Sequence, residues 1–292
     1  MTYAAIDIGS NAVRLLIKRD EENCRYLDKL LLLRVPLRLG FDVFAKGELS
    51  DRKAEDLLRL MRCYEQLLKI YRVDKMRACA TSAMRDARNG PEIIRKIEEK
   101  TGIRIEIISG AEEARIVYNN HVGQGFDASG NYLYVDVGGG STELNLLSVG
   151  ELVFSQSFNV GTVRMLTGTV KPKAWAALCD LCMDLRRKYP GIVIVGSGGN
   201  INKLYKLVGC KRGQPMAVTD LEAIYNDLLP LSVEERMVRY SLRPDRADVI
   251  IPAGKIFLTI AALTGTRQIL VPVIGVADGI IDGLLKTFCK PK

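Results

Sequence analysis

The chain has 292 residues, 48% of them hydrophobic and 26% charged, a balance that suits a water-soluble protein long enough for two domains. Without a run of 18 uncharged apolar residues or a basic-then-apolar leader, it is expected to be neither membrane-spanning nor secreted, and cytoplasmic. Seven scattered cysteines do not suit a disulfide framework, and a single histidine, His121, excludes zinc sites and HExxH helices that need two. The formal charge of +8 divides into +4 up to residue 121 and +4 after it. That excess can draw in an anionic substrate, but it forms no stripe for nucleic acid, and no nucleic-acid partner is expected.

In chain order, Tyr3–Ile8 and Val13–Ile17 predict a hairpin around Gly9-Ser10-Asn11. From Ser50 to Tyr71 the apolar positions 57, 58, 61, 64, 67, 68 and 71 follow the stripe of an amphipathic helix. Met76–Ala80 is expected as a strand, Pro91–Thr101 as a helix closed by Gly102, and Ile103–Ile108 as a strand. Ser109 and Glu112 have capping-box spacing for a helix running to Asn119. After a polar linker over Gly123–Gly130, strands are expected at Tyr132–Val137, Ser141–Leu147 and Glu151–Ser157, then a helix opened by Pro172, a strand at Ile192–Val195, the loop Gly196–Gly199, and a helix over Asn200–Val208.

The opening pattern recurs. Ile6-Asp7-Ile8-Gly9-Ser10 and Val135-Asp136-Val137-Gly138-Gly139, 129 residues apart, each set an aspartate between β-branched residues just before a glycine turn. This spacing predicts a duplicated domain. Glycine loops let backbone N–H groups approach phosphate oxygens, and an adjacent carboxylate suits magnesium. The loop over Gly196–Gly199 precedes a helix, whose first turn favours an anion. It does not complete a GxGxxG pattern, because Ile201 stands where the last glycine is needed, and no GxxxxGK[ST] occurs. If Glu112 serves the cap, Glu113 points about 100° further round the helix and is left for another task; dipole complementation is the other role open to the pair. Arg85 is a guanidinium suited either to phosphate oxygens or to a surface ion pair. Cys179 and Cys182 are expected as packed thiols.

Together, Ala5-Ile6-Asp7-Ile8-Gly9-Ser10-Asn11, Ala80–Ala87, Ile107–Arg115, Val135–Leu144 and Arg246–Pro252 resemble the exopolyphosphatase and guanosine pentaphosphate phosphohydrolase family, a branch of the superfamily of actin, sugar kinases and heat-shock chaperone ATPases. The resemblance implies an α/β fold of two ribonuclease-H-like (actin-like) domains with an interdomain cleft, taken here as residues 1–121 and 122–292, the last helix being free to pack back on the first domain. It implies removal of the terminal phosphate of polyphosphate or pppGpp, with magnesium or another divalent cation, in a homodimer.

The resemblance makes Glu113 the general base, Arg85 a phosphate-binding catalytic group, and Asp136 and Glu143 metal ligands; the matching Asp7 is taken as a third. Ser10, Asn11, Gly138, Gly139, Gly140, Ser141 and Thr142 fall at phosphate-binding positions. Where relatives have Gly-Leu-Arg-Glu-Gly, this chain has Gly275-Val276-Ala277-Asp278-Gly279, without the arginine. Histidines for a carboxyl-terminal HD-type domain are also lacking, which favours short or medium chains. The rival expectations are a small-molecule kinase built on the same loops and a non-catalytic polyphosphate or nucleotide sensor.

Overall fold

The computed structural model describes all residues except 22–26, 120–128, 212, 273–274 and 289–292. His121 and most of the linker expected over 123–130 therefore lie outside the described residues. The chain divides into two compact units, Met1–Asn120 with Val276–Lys292, and His121–Gly275.

The first unit opens with β1 (Thr2–Ile8), β2 (Val13–Asp20) and β3 (Leu27–Val35), followed by α1 (Leu39–Lys46) and α2 (Asp51–Ile70). Then come β4 (Lys75–Ala80), α3 (Ser82–Asp86), α4 (Gly90–Thr101), β5 (Ile105–Ile107) and α5 (Gly110–Asn119). The sheet order is β3-β2-β1-β4-β5, with β1 antiparallel to β2 and parallel to β4. This is the ribonuclease-H-like arrangement: a meander of three strands extended by parallel strands reached through helices. Every residue of β1 is buried, which is why the central strand reads as an unbroken apolar run interrupted only by Asp7.

The signals at helix ends act as their chemistry requires. Ser50 Oγ accepts the Lys53 N–H at the start of α2, Pro91 sits in the first turn of α4, and Gly102 closes that helix in the left-handed conformation. Ser109 Oγ accepts the Glu112 N–H at 3.1 Å. The Glu112 carboxylate does not complete a capping box. It pairs with Arg77 at 2.6 Å, and the Glu106 hydrogen bond above all, with that pair beside it and against the cost of burial, holds the Arg77 guanidinium even more firmly protonated than usual.

The second unit contains β6 (Asn131–Val137), β7 (Thr142–Ser148), β8 (Glu151–Phe158), α6 (Thr162–Leu166), α7 (Pro172–Lys188), β9 (Val193–Ser197) and α8 (Gly199–Val208). It continues with β10 (Met216–Ala217), α9 (Val218–Leu228), α10 (Val233–Tyr240), α11 (Pro244–Ala247), α12 (Ile250–Thr264) and β11 (Gln268–Leu270). Its sheet, β10-β11-β9-β6-β7-β8, repeats the first with one short strand added at the parallel edge. The core gathers Leu133, Val135, Leu144, Leu178, Ile194, Ile256 and Phe257. Residues 244–264 are long and apolar enough to cross a membrane by length and composition, and 61% of that apolar window is buried inside the protein. Core packing therefore accounts for the composition of α12.

The final helix, α13 (Val276–Phe288), belongs to the first unit rather than to the stretch 122–292. Ala277, Ile280 and Ile281 pack there with Tyr3, Leu16, Ile108 and Ile116. Position 277, an alanine, is thus a packing position in this chain.

Candidate phosphate and metal site

In the first unit, β1 delivers Asp7 to the start of a tight turn in which the Gly9 N–H donates to Ala12 O at 3.1 Å. Asp7 is buried and lies directly across from Arg14 in the β1–β2 register. Arg14 Nη1 donates to its carboxylate at 2.7 Å. The expected metal ligand therefore already faces a cation of its own chain. Ser10 Oγ shares a hydrogen bond of 2.8 Å with Ser82 Oγ at the start of α3, which ties the first loop to the helix that carries Arg85. The neighbouring Asn11 accepts the Arg38 N–H through its carbonyl.

Arg85 and Glu113 meet from different elements. Arg85 Nη1 donates to the Ile108 carbonyl at 2.7 Å and stands 3.8 Å from Glu113 Oε2. Glu113, in the first turn of α5, is 7% exposed. A carboxylate so far from water is costly unless a cation and hydrogen bonds answer it, and the guanidinium of Arg85 is one such answer. With Glu112 engaged by Arg77 and Glu113 turned inward, the two adjacent glutamates have separate roles.

In the second unit the same turn appears, with Gly138 N–H donating to Ser141 O at 2.9 Å. Here the residue across from Asp136 is Glu143, and both are buried. Glu143 Oε1 accepts a hydrogen bond from Ser157 Oγ at 2.8 Å. Two carboxylates of facing register positions, with hard oxygen donors only, suit a magnesium ion that takes its remaining ligands from water and substrate phosphate. Among the described residues no group of three or more His, Cys, Asp or Glu converges.

The glycine loop is shaped for an anion by what happens to its carbonyls. Gly138 O accepts the Thr162 N–H at 3.0 Å, Gly139 O accepts the Val163 N–H at 2.8 Å, and Gly140 O accepts Arg164 Nε at 2.7 Å. Oxygen atoms that would repel a phosphate are thereby held against α6. The approach needs Gly161: a Cβ there would lie 2.5 Å from Gly139 O. Thr142 Oγ1 donates to Val160 O at 2.6 Å, so its hydroxyl straps β7 to the entry of α6 and its proton is not available to a phosphate. Among the described residues the buried Ser141 hydroxyl has no hydrogen-bond partner.

Three polar groups beside these loops went unselected in the sequence. Arg164 is one. Ser197, across from Asp136 in the β6–β9 register, is buried with an unpartnered hydroxyl, and Arg246 Nη1 donates to Asn200 Oδ1 at 2.8 Å in the first turn of α8. The glycines over 196–199 and the Arg-Ala-Asp stretch over 246–248 carried the signal for the last two. Arg164 has no local motif, because only the fold brings it to Gly140.

Two ribonuclease-H-like units, one with a buried glutamate beside an arginine and the other with a glycine loop beside two buried carboxylates, make up this α/β protein. The model of the Ppx/GppA phosphatase family matches residues 17–177, more than half of the chain, and the protein belongs to that family. Exopolyphosphatase 2 of Mycobacterium tuberculosis is 27% identical over 284 residues, covering 85% of this chain and 86% of that protein. The bifunctional 3-dehydroquinate synthase/phosphatase of Fusobacterium nucleatum is 33% identical over 168 residues, 56% of this chain, and the match spans only 25% of that enzyme's length. Among solved structures, an Aquifex aeolicus member of the Ppx/GppA family is 25% identical with a TM-score of 0.78, covering 99% of both chains. An exopolyphosphatase of Cytophaga hutchinsonii shares the fold at a TM-score of 0.87 with 19% identity, over 98% of each chain.

Proposed function

We propose that the protein hydrolyses the terminal phosphoanhydride of inorganic polyphosphate or of pppGpp. The observation that carries this is the buried carboxylate of Glu113, 3.8 Å from Arg85 and relieved of capping by its neighbour. A general base must be held within reach of the proton it takes, and burial beside a guanidinium fixes this carboxylate in place. In the proposed reaction Glu113 accepts a proton from water as the water oxygen attacks the terminal phosphorus. The bond from that phosphorus to the bridging oxygen breaks, and the shortened chain leaves with the bridging electron pair. Arg85 binds the phosphoryl oxygens; in the second unit the loop over 138–141, with the Ser141 hydroxyl, is the proposed phosphate-binding element. Asp136 and Glu143 would hold magnesium, which supplies charge neutralisation on the phosphate oxygens. Positioning and electrostatics carry most of the catalysis in this class of reaction.

The test is phosphate release from short polyphosphate, long polyphosphate and pppGpp in parallel. Glu113→Gln keeps the shape and hydrogen-bonding capacity of the side chain and removes its basicity, so kcat is expected to fall by roughly 10²- to 10⁴-fold with KM little changed. Full turnover by that variant would remove Glu113 from the mechanism.

A further inference from the structure

We infer that α13 positions the catalytic pair, and that Gly279 is the residue through which it seats α5. This rests on the role proposed above for Glu113. A Cβ at position 279 would lie 2.8 Å from Ile116 Cγ2 and 3.0 Å from the Ile116 carbonyl carbon, so α13 approaches α5 too closely to leave room for a side chain there. Ile116 is three residues beyond Glu113, on the same side of α5 one turn later. The same cluster buries Ile108 against Ala277, Ile280 and Ile281, and the Ile108 carbonyl holds Arg85. Both members of the pair therefore hang from residues that α13 covers. The start of α13 is fixed in turn by Asp278, which pairs with Lys18 of β2 at 2.8 Å. The C-terminal segment thus returns to the first unit to set the angle of the helix bearing Glu113, and position 277 contributes to that packing.

Gly283 supplies an internal control. It lies on the same helix one turn later, and among the described residues a Cβ there would meet nothing within 4 Å. Gly279→Ala and Gly283→Ala make the same chemical change and gain the same helix propensity, but only the first intrudes on α5. With phosphate release as the readout, Gly279→Ala is expected to lower kcat about tenfold or more, as misplacement by a fraction of an ångström does, with KM within about twofold of wild type. Gly283→Ala should keep wild-type kcat and an equal or higher Tm. If Gly279→Ala does not fold, Ile116→Ala loosens the same seat from the other side, and the same fall in kcat at constant KM is expected. Equal kcat for the two glycine variants, or a loss confined to KM, would overturn the inference while leaving Glu113 in place. Full activity of Glu113→Gln would instead remove the proposed mechanism, and this inference with it.

Discussion

The two glycine turns are built alike and charged differently. In each, the residue two before the first glycine is a buried aspartate, and the glycine N–H closes the turn onto the carbonyl three residues on, at Ala12 and Ser141. In each, a short helix after the third strand donates backbone N–H groups to the loop: Gly40 to Ser10 O and Val163 to Gly139 O, both at 2.8 Å. The cross-strand partner sets them apart, Arg14 for Asp7 and Glu143 for Asp136. One loop has its charge balanced internally. The other sets two buried carboxylates at facing positions, and we propose that this one position in a strand register suits the second loop to a cation.

This contrast is sharpest in the response to magnesium. Asp136→Asn is expected to raise the magnesium concentration for half-maximal phosphate release by at least 10- to 100-fold, since even groups that merely orient a metal ligand are worth that much. Asp7→Asn should leave that midpoint in place and instead lower stability by about 1–2 kcal/mol, because Arg14 loses its carboxylate partner; thermal unfolding beside a magnesium titration reads both. A shifted magnesium midpoint in Asp7→Asn would erase the distinction between the loops. Next in size, Gly161→Ala pushes a methyl into Gly139 and should raise KM for polyphosphate about tenfold by deforming the loop.

The smallest effect lies on α13. Burial, and to a lesser extent neighbouring Asp278, pushes the Asp282 carboxyl up, against Lys18 and Lys286, which pull it down. A carboxyl whose folded pKa exceeds its unfolded value costs stability when ionised. Stability at this group therefore rises as pH falls through the folded value, and the cost is fully present above it. Asp282→Asn should raise Tm at pH 7 by about 1–2 °C, with the gain vanishing in acid; a decrease at pH 7 would show the Lys18 contact to be worth more than the burial costs.

Much of this was legible in the sequence because it is local. The repeated aspartate–glycine pattern marked both turns, the apolar stripe over 57–71 marked α2, and adjacent glutamates after Ser109 marked the start of α5. What stayed hidden depends on tertiary partners. β3, Leu-Asp-Lys-Leu-Leu-Leu-Leu-Arg-Val, shows no alternation because as an edge strand it is partly exposed on both faces. Arg164, Arg14 and Gly279 matter through what the fold lays beside them, namely Gly140, Asp7 and Ile116. Thr142 belongs to a phosphate-loop motif, yet its hydroxyl is spent on Val160, a bond that no spacing within the motif discloses.

The most direct measurement is the fate of isotopic oxygen when wild type and Glu113→Gln act on short polyphosphate in ¹⁸O-labelled water with magnesium. Hydrolysis by water attack at the terminal phosphorus predicts one solvent oxygen in each released phosphate, at a rate that collapses in Glu113→Gln. Phosphate passed to a small acceptor with no label, or tight binding with no release, would contradict the account and point to a kinase or a sensor.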